Sequence, residues 1–245
     1  MLEQTETVDT ADGPMGVHVV RPDGDGPLPV VVYFHHGPGL DGGSKESMRR
    51  IADWGYYVIA HDRYHRHEEW LVADPKRLAE DEEARNEFFR ILMGTTDQMV
   101  ATDLDAVLAF VADAPAARGA PFGCVGFCIG ARSVLRTLEG RNDIFRVGVG
   151  MHPSLCTTDD DDSPHLAVPG LEGSLHLGFG AADQMQPAEA NRRLIDAVEA
   201  KGDGFEVEIH DGADHGFGVP GGAYHQAAAD RSYGRAKALF HKELG

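Results

Sequence analysis

Two glycines bracket a cysteine in Gly126-Phe127-Cys128-Ile129-Gly130, and few backbones accommodate that spacing. It is the sequence form of an elbow in which a strand turns sharply into a helix. The central side chain is thrust into the open, and a Cβ at either flanking glycine would collide with the turn. The neighbours suit the picture: Pro121-Phe-Gly-Cys-Val125 reads as a strand and Ala131–Glu139 as a helix. The usual occupant of the apex is serine. A cysteine changes the chemistry, because the attacking species is a thiolate that must be generated and protected before a substrate arrives. The competing reading is a small buried cysteine at a glycine-rich strand end, since free Cys is among the most buried residue types. On these five residues alone the two readings stand level.

The rest of the chain alternates strand and helix signals. Val17, Val19 and Arg21 alternate after the turn Asp12-Gly13-Pro14, and Pro29–Phe34 is a continuous β-branched run, as in a central strand covered on both faces. A polar loop, His35–Ser44, leads to a helix over Lys45–Trp54, ended by Gly55, and then to the strand Tyr56–Ala60. Residues 74–94 are charged and helical in character, which suggests an insertion or lid over one edge. Val100, Leu104, Val107, Leu108 and Val111 have the spacing of a core-facing helix over Gln98–Asp113. Beyond the elbow come a strand at Val147–Met151, a loop over Ser154–Glu172, and a strand at Ser174–Gly180. A helix over Pro187–Lys201, a strand at Phe205–His210 and a closing helix at Tyr224–Glu243 follow. The acidic run Asp159–Asp162 reads as solvated surface. Strands alternating with helices imply an α/β fold with a mostly parallel sheet covered on both faces. At 245 residues, one domain over 1–245 is the simplest arrangement.

Composition narrows the partners. A formal net charge of −18 argues against nucleic acid and anionic membranes. No apolar run approaches the roughly eighteen residues of a membrane span. Met1–Thr7 lacks the basic and apolar regions of a secretory signal, and the three cysteines (Cys124, Cys128, Cys156) are too few for a disulfide framework. A reducing cytoplasm is the expected location, with the chain a monomer or homodimer.

In parallel sheets, reactive groups sit on loops at the carboxyl ends of strands. Three such loops carry the right chemistry: the elbow with Cys128, Gly178–Asp183, and Gly212–Phe217 with His215. Nucleophile, acid, then histidine is the chain order of an α/β-hydrolase triad. Each member has a plainer reading. Asp183 precedes Pro187 as a helix N-terminal aspartate would, and His215 sits in a tight turn where exposed histidines are common. Asp214 competes for the acid role, although a side chain adjacent in sequence usually points away from the ring. The three together favour the triad.

On these residues the chain resembles the dienelactone hydrolase family, whose members carry a G-x-C-x-G elbow and a Cys-Asp-His triad. The resemblance extends to Gly55-Tyr-Tyr-Val, Asp62-Arg-Tyr-His-Arg66, Gly123–Arg132, Ser163-Pro-His165 and Ala213-Asp-His-Gly-Phe217. It implies a compact α/β-hydrolase fold without a large cap. It also implies cofactor-free hydrolysis of a small ester or lactone through a thioester, with Cys128 as nucleophile, His215 as base and then acid, and Asp183 as the orienting acid. Two backbone N–H groups should form the oxyanion hole, from Ile129 and from the loop after Phe34. Pro38 has no N–H, which leaves Gly37.

Two departures bear on the substrate. Family members resembling the founding enzymes have a carboxylate where this chain has His36, so His36 is expected to reach the pocket and alter activation of Cys128; alternatively His35 and His36 simply line the loop. The founding enzymes grip a substrate carboxylate with arginines, one just after the histidine, whereas here the stretch is Gly216-Phe217-Gly218-Val219. Arg85 or Arg90 in the insertion is a candidate substitute, and Phe217 a candidate pocket wall. An uncharged ester or lactone is therefore at least as suitable as dienelactone. A non-hydrolytic step on an acyl or lactone metabolite and a silent ligand-binding module remain rivals. His61–Glu69 has metal-ligating residue types, but Arg63 and Arg66 would repel a cation and no helix-spaced pair occurs, so it reads as a surface loop without metal.

Overall fold

The chain opens with a hairpin that its composition barely signals. β1 (Leu2–Thr10) pairs antiparallel with β2 (Gly13–Arg21). β1 is almost wholly exposed, so its residues carry no core-facing alternation and the strand is missed on sequence. The structure is a computed structural model and describes residues 1–24, 26–67 and 71–245. β3 (Val30–Phe34) and β4 (Tyr57–His61) are buried at every position, as their apolar runs predict. Between them lies α1 (Gly42–Ala52), which starts three residues earlier than its apolar residues suggest. The reason is its cap: the Asp41 carboxylate accepts from the Ser44 amide at 2.8 Å.

The charged stretch after β4 is two helices, α2 (Pro75–Glu80) and α3 (Glu82–Gly94), broken at Asp81, whose carboxylate caps α3 through Ala84. α4 (Asp97–Asp113), β5 (Phe122–Phe127), α5 (Ile129–Gly140), β6 (Phe145–Met151) and β7 (Ser174–Gly180) follow in the predicted order. The loop between β6 and β7 contains a 3-10 turn at Pro164–Gly170. The helix expected over 187–201 begins as a 3-10 turn, Ala188–Asn191, and continues as α6 (Arg192–Lys201). β8 (Phe205–His210) and α7 (Gln226–Leu244) complete the chain.

The eight strands run in the order β1-β2-β4-β3-β5-β6-β7-β8, antiparallel at β1, β2 and β4 and parallel from β4 to β8. Alternation along β3 assigns the two faces. Val30, Val32 and Phe34 pack with α4, α5 and α6, while Val31 and Tyr33 pack with α1 and α7. The helices of the described residues that stand outside these layers are α2 and α3, so the insertion is small. Chain direction across the sheet reverses between β3 and β5, the switch point where a parallel sheet opens a crevice at its carboxyl edge. Among the described residues no helix is long and apolar enough to cross a membrane.

One stretch departs from its expected environment. His61, Asp62, Arg63 and Tyr64 are buried rather than a surface loop. Arg63 donates to Ser133 Oγ at 3.0 Å and to the Thr95 carbonyl at 3.3 Å. Arg66 grips the fully buried Asp103 with two nitrogens at 2.7 and 2.9 Å, and His65 Nε2 lies 3.2 Å from the same carboxylate. Arg66 is thus a counterion of a buried carboxylate and Arg63 a donor to neutral buried groups, all on neighbouring elements, which a local reading has no means of pairing. Glu68 and Glu69 lie outside the described residues.

Candidate active site

The elbow is built by close approach of backbone. A Cβ on Gly126 would stand 2.1 Å from the Gly130 carbonyl oxygen, and one on Gly130 would stand 2.2 Å from the Phe34 carbonyl oxygen. Both glycines are therefore required, and the second also lets α5 meet the end of β3. Cys128 sits at the apex with φ 55° and ψ −119°, a conformation that L residues rarely adopt. Among described non-glycine residues, the others with positive φ are His152 and Leu155, on the loop after β6 facing the elbow. Strain gathered in one place is a mark of a functional site.

The loops after β7 and β8 converge for a similar reason. A Cβ on Gly180 would lie 2.4 Å from the Ala213 carbonyl oxygen, and the Ala182 amide donates to that carbonyl at 2.9 Å. This brings Asp183 against His215, with Asp183 Oδ2 2.7 Å from His215 Nδ1. Asp183 Oδ1 meanwhile accepts from the Met185 and Gln186 amides at 2.9 and 2.8 Å. The turn-forming and ring-orienting readings of Asp183 are both satisfied, one by each oxygen. Asp214 accepts from the backbone amide of His215 at 2.7 Å, leaving the ring to Asp183.

His215 Nε2 points toward Cys128 with Ser154 alongside. Ser154 Oγ lies 3.5 Å from that nitrogen and 3.3 Å from Cys128 Sγ. Ser154 escapes a sequence reading; its only signal is that it closely follows β6, on the same sheet edge. Cys128 is partly open to solvent although its sulfur is densely surrounded by protein. Burial pushes the thiol pKa up, but hydrogen bonding and charge from His215, with smaller help from Ser154 and the Gly37 amide, bring it down to about 7. Burial likewise disfavours a charged His215, yet Cys128 and then Asp183 raise its pKa to about 9. At neutral pH about half of the thiol is therefore ionised, as a thiolate beside an imidazolium.

The remaining candidates separate. Gly37 lies on the loop after β3, its N–H near the Cys128 sulfur, while Leu92 and Phe88 of α3 stand 3.7 and 3.9 Å from where its Cβ would be. The insertion thus covers this loop. Ile129 is the first residue of α5, so its N–H is free of the helix's own bonding. His35 is buried, its Nδ1 2.7 Å from the His36 carbonyl oxygen. His36 faces Asp41, Nε2 to Oδ2 3.2 Å, rather than Cys128. Burial alone would raise the Asp41 pKa; His36, followed by the Ser44 contacts, more than reverses this and lowers it to about 2. Arg85 donates to the Leu78 carbonyl at 3.0 Å inside the insertion. Arg90 is exposed and clasped by Glu87. Neither arginine is paired with the elbow loops. Phe217 is fully buried beneath His152, ring centroids 5.5 Å apart, so it is floor rather than pocket wall. His152, missed on sequence, is buried edge-on to His215 at 5.0 Å and is kept neutral by burial. Among the described residues no group of three or more His, Cys, Asp or Glu is arranged to hold a metal ion.

The sequence model described as "Dienelactone hydrolase family" matches residues 15–244, nearly the whole chain. The chain belongs to the dienelactone hydrolase family. It is accordingly a hydrolase of the dienelactone hydrolase type. A putative carboxymethylenebutenolidase of Azospirillum brasilense is 25% identical over 246 residues, covering 96% of this chain and 96% of that protein. A carboxymethylenebutenolidase of Pseudomonas knackmussii is 24% identical over 220 residues, covering 89% and 86%. Among solved structures, a putative dienelactone hydrolase from Klebsiella pneumoniae shares the fold, with a TM-score of 0.82 at 23% identity over 99% of this chain and 100% of that one.

Proposed function

We propose that this dienelactone hydrolase family member cleaves a small, uncharged ester or lactone through a thioester on Cys128. The reading rests on the row of contacts Cys128 Sγ to Ser154 Oγ (3.3 Å), Ser154 Oγ to His215 Nε2 (3.5 Å) and His215 Nδ1 to Asp183 Oδ2 (2.7 Å), set at a strained elbow. The thiolate attacks the carbonyl carbon, and the oxyanion that forms is held by the N–H groups of Ile129 and Gly37. As it collapses, the C–O bond to the leaving alkoxide breaks and His215 gives its proton to that alkoxide. Neutral His215 then takes a proton from water as the hydroxide adds to the thioester. The C–S bond breaks, releasing a carboxylic acid and restoring the thiolate. Asp183 fixes the tautomer throughout and stabilises the imidazolium. All of these groups come from the protein. A neutral substrate is supported by Arg90, whose charge is taken up by Glu87, and by Arg85, which donates to the Leu78 carbonyl rather than to the elbow loops.

The test is trapping. Brief mixing with p-nitrophenyl acetate and acid quench should give wild-type protein an added acetyl mass on the peptide carrying Cys128, which disappears on further incubation. Cys128→Ala should keep its fold and show neither adduct nor turnover. Turnover surviving in that variant would sink the proposal, as would a stable adduct that water never releases.

A further inference from the structure

The peptide between His36 and Gly37 has two working ends. Its N–H is the one assigned above to the oxyanion, and its carbonyl belongs to His36. That carbonyl accepts from His35 Nδ1 at 2.7 Å and from the Gly39 amide at 3.1 Å. A carbonyl oxygen can only accept, so His35 Nδ1 carries the proton. The next carbonyl, of Gly37, accepts from the Tyr64 hydroxyl at 2.7 Å, and the one after, of Pro38, accepts from the Ala73 amide at 2.8 Å. Three successive carbonyls of a loop with no helix or strand of its own are thus each held by a donor. Two of those donors are buried side chains, with the His35 and Tyr64 ring centroids 5.6 Å apart.

Packing does not explain a histidine at position 35, because a leucine fills similar space without the cost of burying a polar ring. Burial keeps this ring neutral, with its pKa down to about 3 despite the favourable carbonyl contact. A neutral imidazole with hydrogen on Nδ1 is a steady donor over the whole working pH range. A hydrogen bond accepted at one end of a peptide polarises the donor at the other end.

We infer that His35 and Tyr64 are positioning residues for the oxyanion hole: His35 loads the His36 carbonyl so that the Gly37 N–H is aimed and strengthened, and Tyr64 locks the following peptide. This rests on the proposal that Gly37 serves the oxyanion, and it adds that the hole is preformed from behind by side chains that never touch substrate. The same N–H lies near the resting sulfur, so a weakened Gly37 donor also makes the Cys128 thiolate harder to form.

The experiment compares wild type with His35→Leu, His35→Asn and Tyr64→Phe, each checked for fold by near-UV circular dichroism. Asn places an N–H donor near the position of Nδ1, whereas Leu fills the space without one. With p-nitrophenyl acetate, His35→Leu should lower kcat about tenfold, less than the roughly 10²–10³ lost with a direct oxyanion donor, and leave KM within about twofold. His35→Asn should recover most of that loss, and Tyr64→Phe should lose several-fold in kcat alone. Separately, the pH midpoint of Cys128 alkylation by iodoacetamide should rise in His35→Leu and return in His35→Asn. Wild-type kcat in His35→Leu, equal losses in the Leu and Asn variants, or a loss confined to KM would each overturn the inference. Turnover in Cys128→Ala would instead defeat the nucleophile proposal, and the alkylation midpoints would still read His35 on their own. If His35→Leu does not fold, the Asn and Phe variants decide: the inference fails if Tyr64→Phe matches wild type.

Discussion

Removing the imidazole of His215 should move the titration of Cys128 by about two pH units, and the structure sets both the direction and a lower bound. The thiol sits at about 7 rather than its ordinary 9.0 because His215 overrides a burial effect of opposite sign. In His215→Ala burial remains, opposed only by the weaker contacts of Ser154 and Gly37, so the midpoint should reach 9 or more. Two units correspond to about 2.7 kcal/mol between the protonation states. At pH 7 the thiolate fraction falls from about one half to about one per cent, a roughly fifty-fold loss. The rate of alkylation falls less, because a thiolate of higher pKa is the stronger nucleophile. With a Brønsted slope of about 0.45 the two-unit rise returns about eight-fold, leaving a net slowing of about six-fold. The rate at one pH is therefore a poor reporter. The assay is iodoacetamide alkylation across pH 5.5 to 10.5, followed by the mass of the Cys128 peptide. Wild type should titrate near 7 and the variant at or above 9, with a higher plateau. Because the His215 pKa is raised to about 9, turnover in wild type should be bell-shaped, rising through about 7 and falling through about 9. A variant that still titrates near 7 would refute this account, since some other group would then be holding the thiolate.

Three further outcomes are expected. Asp183→Asn should lower kcat about 10³-fold while stability stays close to wild type, since the two backbone bonds to Oδ1 survive; a loss under tenfold counts against the orienting role. Asp103→Ala, which takes the carboxylate away from buried His65 while Arg66 keeps its contact with the exposed Asp12, should reduce unfolding free energy by about 2–3 kcal/mol in urea titrations, and a loss below about 1 would show that the network is hydrated. Stability should also fall in mild acid. Burial lowers the pKa of His35 to about 3 and of His61 and His176 to about 4, so between about 4 and 6.5 the unfolded chain binds protons that the folded one refuses. The stabilisation these rings lend is complete above about 6.5 and drains away as pH drops toward 4, with His61 alone contributing about 3 kcal/mol to the difference. His61→Phe should flatten the urea midpoint against pH in that window, and an unchanged slope would be inconsistent with a neutral buried His61.

Most of the fold follows from local chemistry. Five β-branched or aromatic residues in a row at 30–34, helical spacing from Val100 to Val111, and the glycine at 126 each report a constraint acting within one element or one turn, whereas Gly130 answers to the end of β3. The chain order of Cys128, Asp183 and His215 could be assigned to three loops because parallel strands all end on the same edge. The limits of sequence lie where partners come from elsewhere in the chain. β1 forms because β2 offers it an edge, although its own side chains stay in water. Arg63 and Arg66 look like surface charge until α4 and α5 bring Asp103 and Ser133 against them.

At the site itself, the sequence determined which residue is thrust out and which loops approach it, since an elbow and a strand end are properties of backbone geometry. Tertiary structure alone decided how the pieces are wired. Ser154 stands beside both sulfur and imidazole, Asp183 divides its oxygens between turn and ring, His36 turns to Asp41, and His35 turns back onto the carbonyl behind Gly37. Those choices depend on distances of a few tenths of an ångström, some within one loop and others between loops remote in sequence. Hydrogen bonds and charge contacts in a buried site are decided at that scale, and residue order does not encode it.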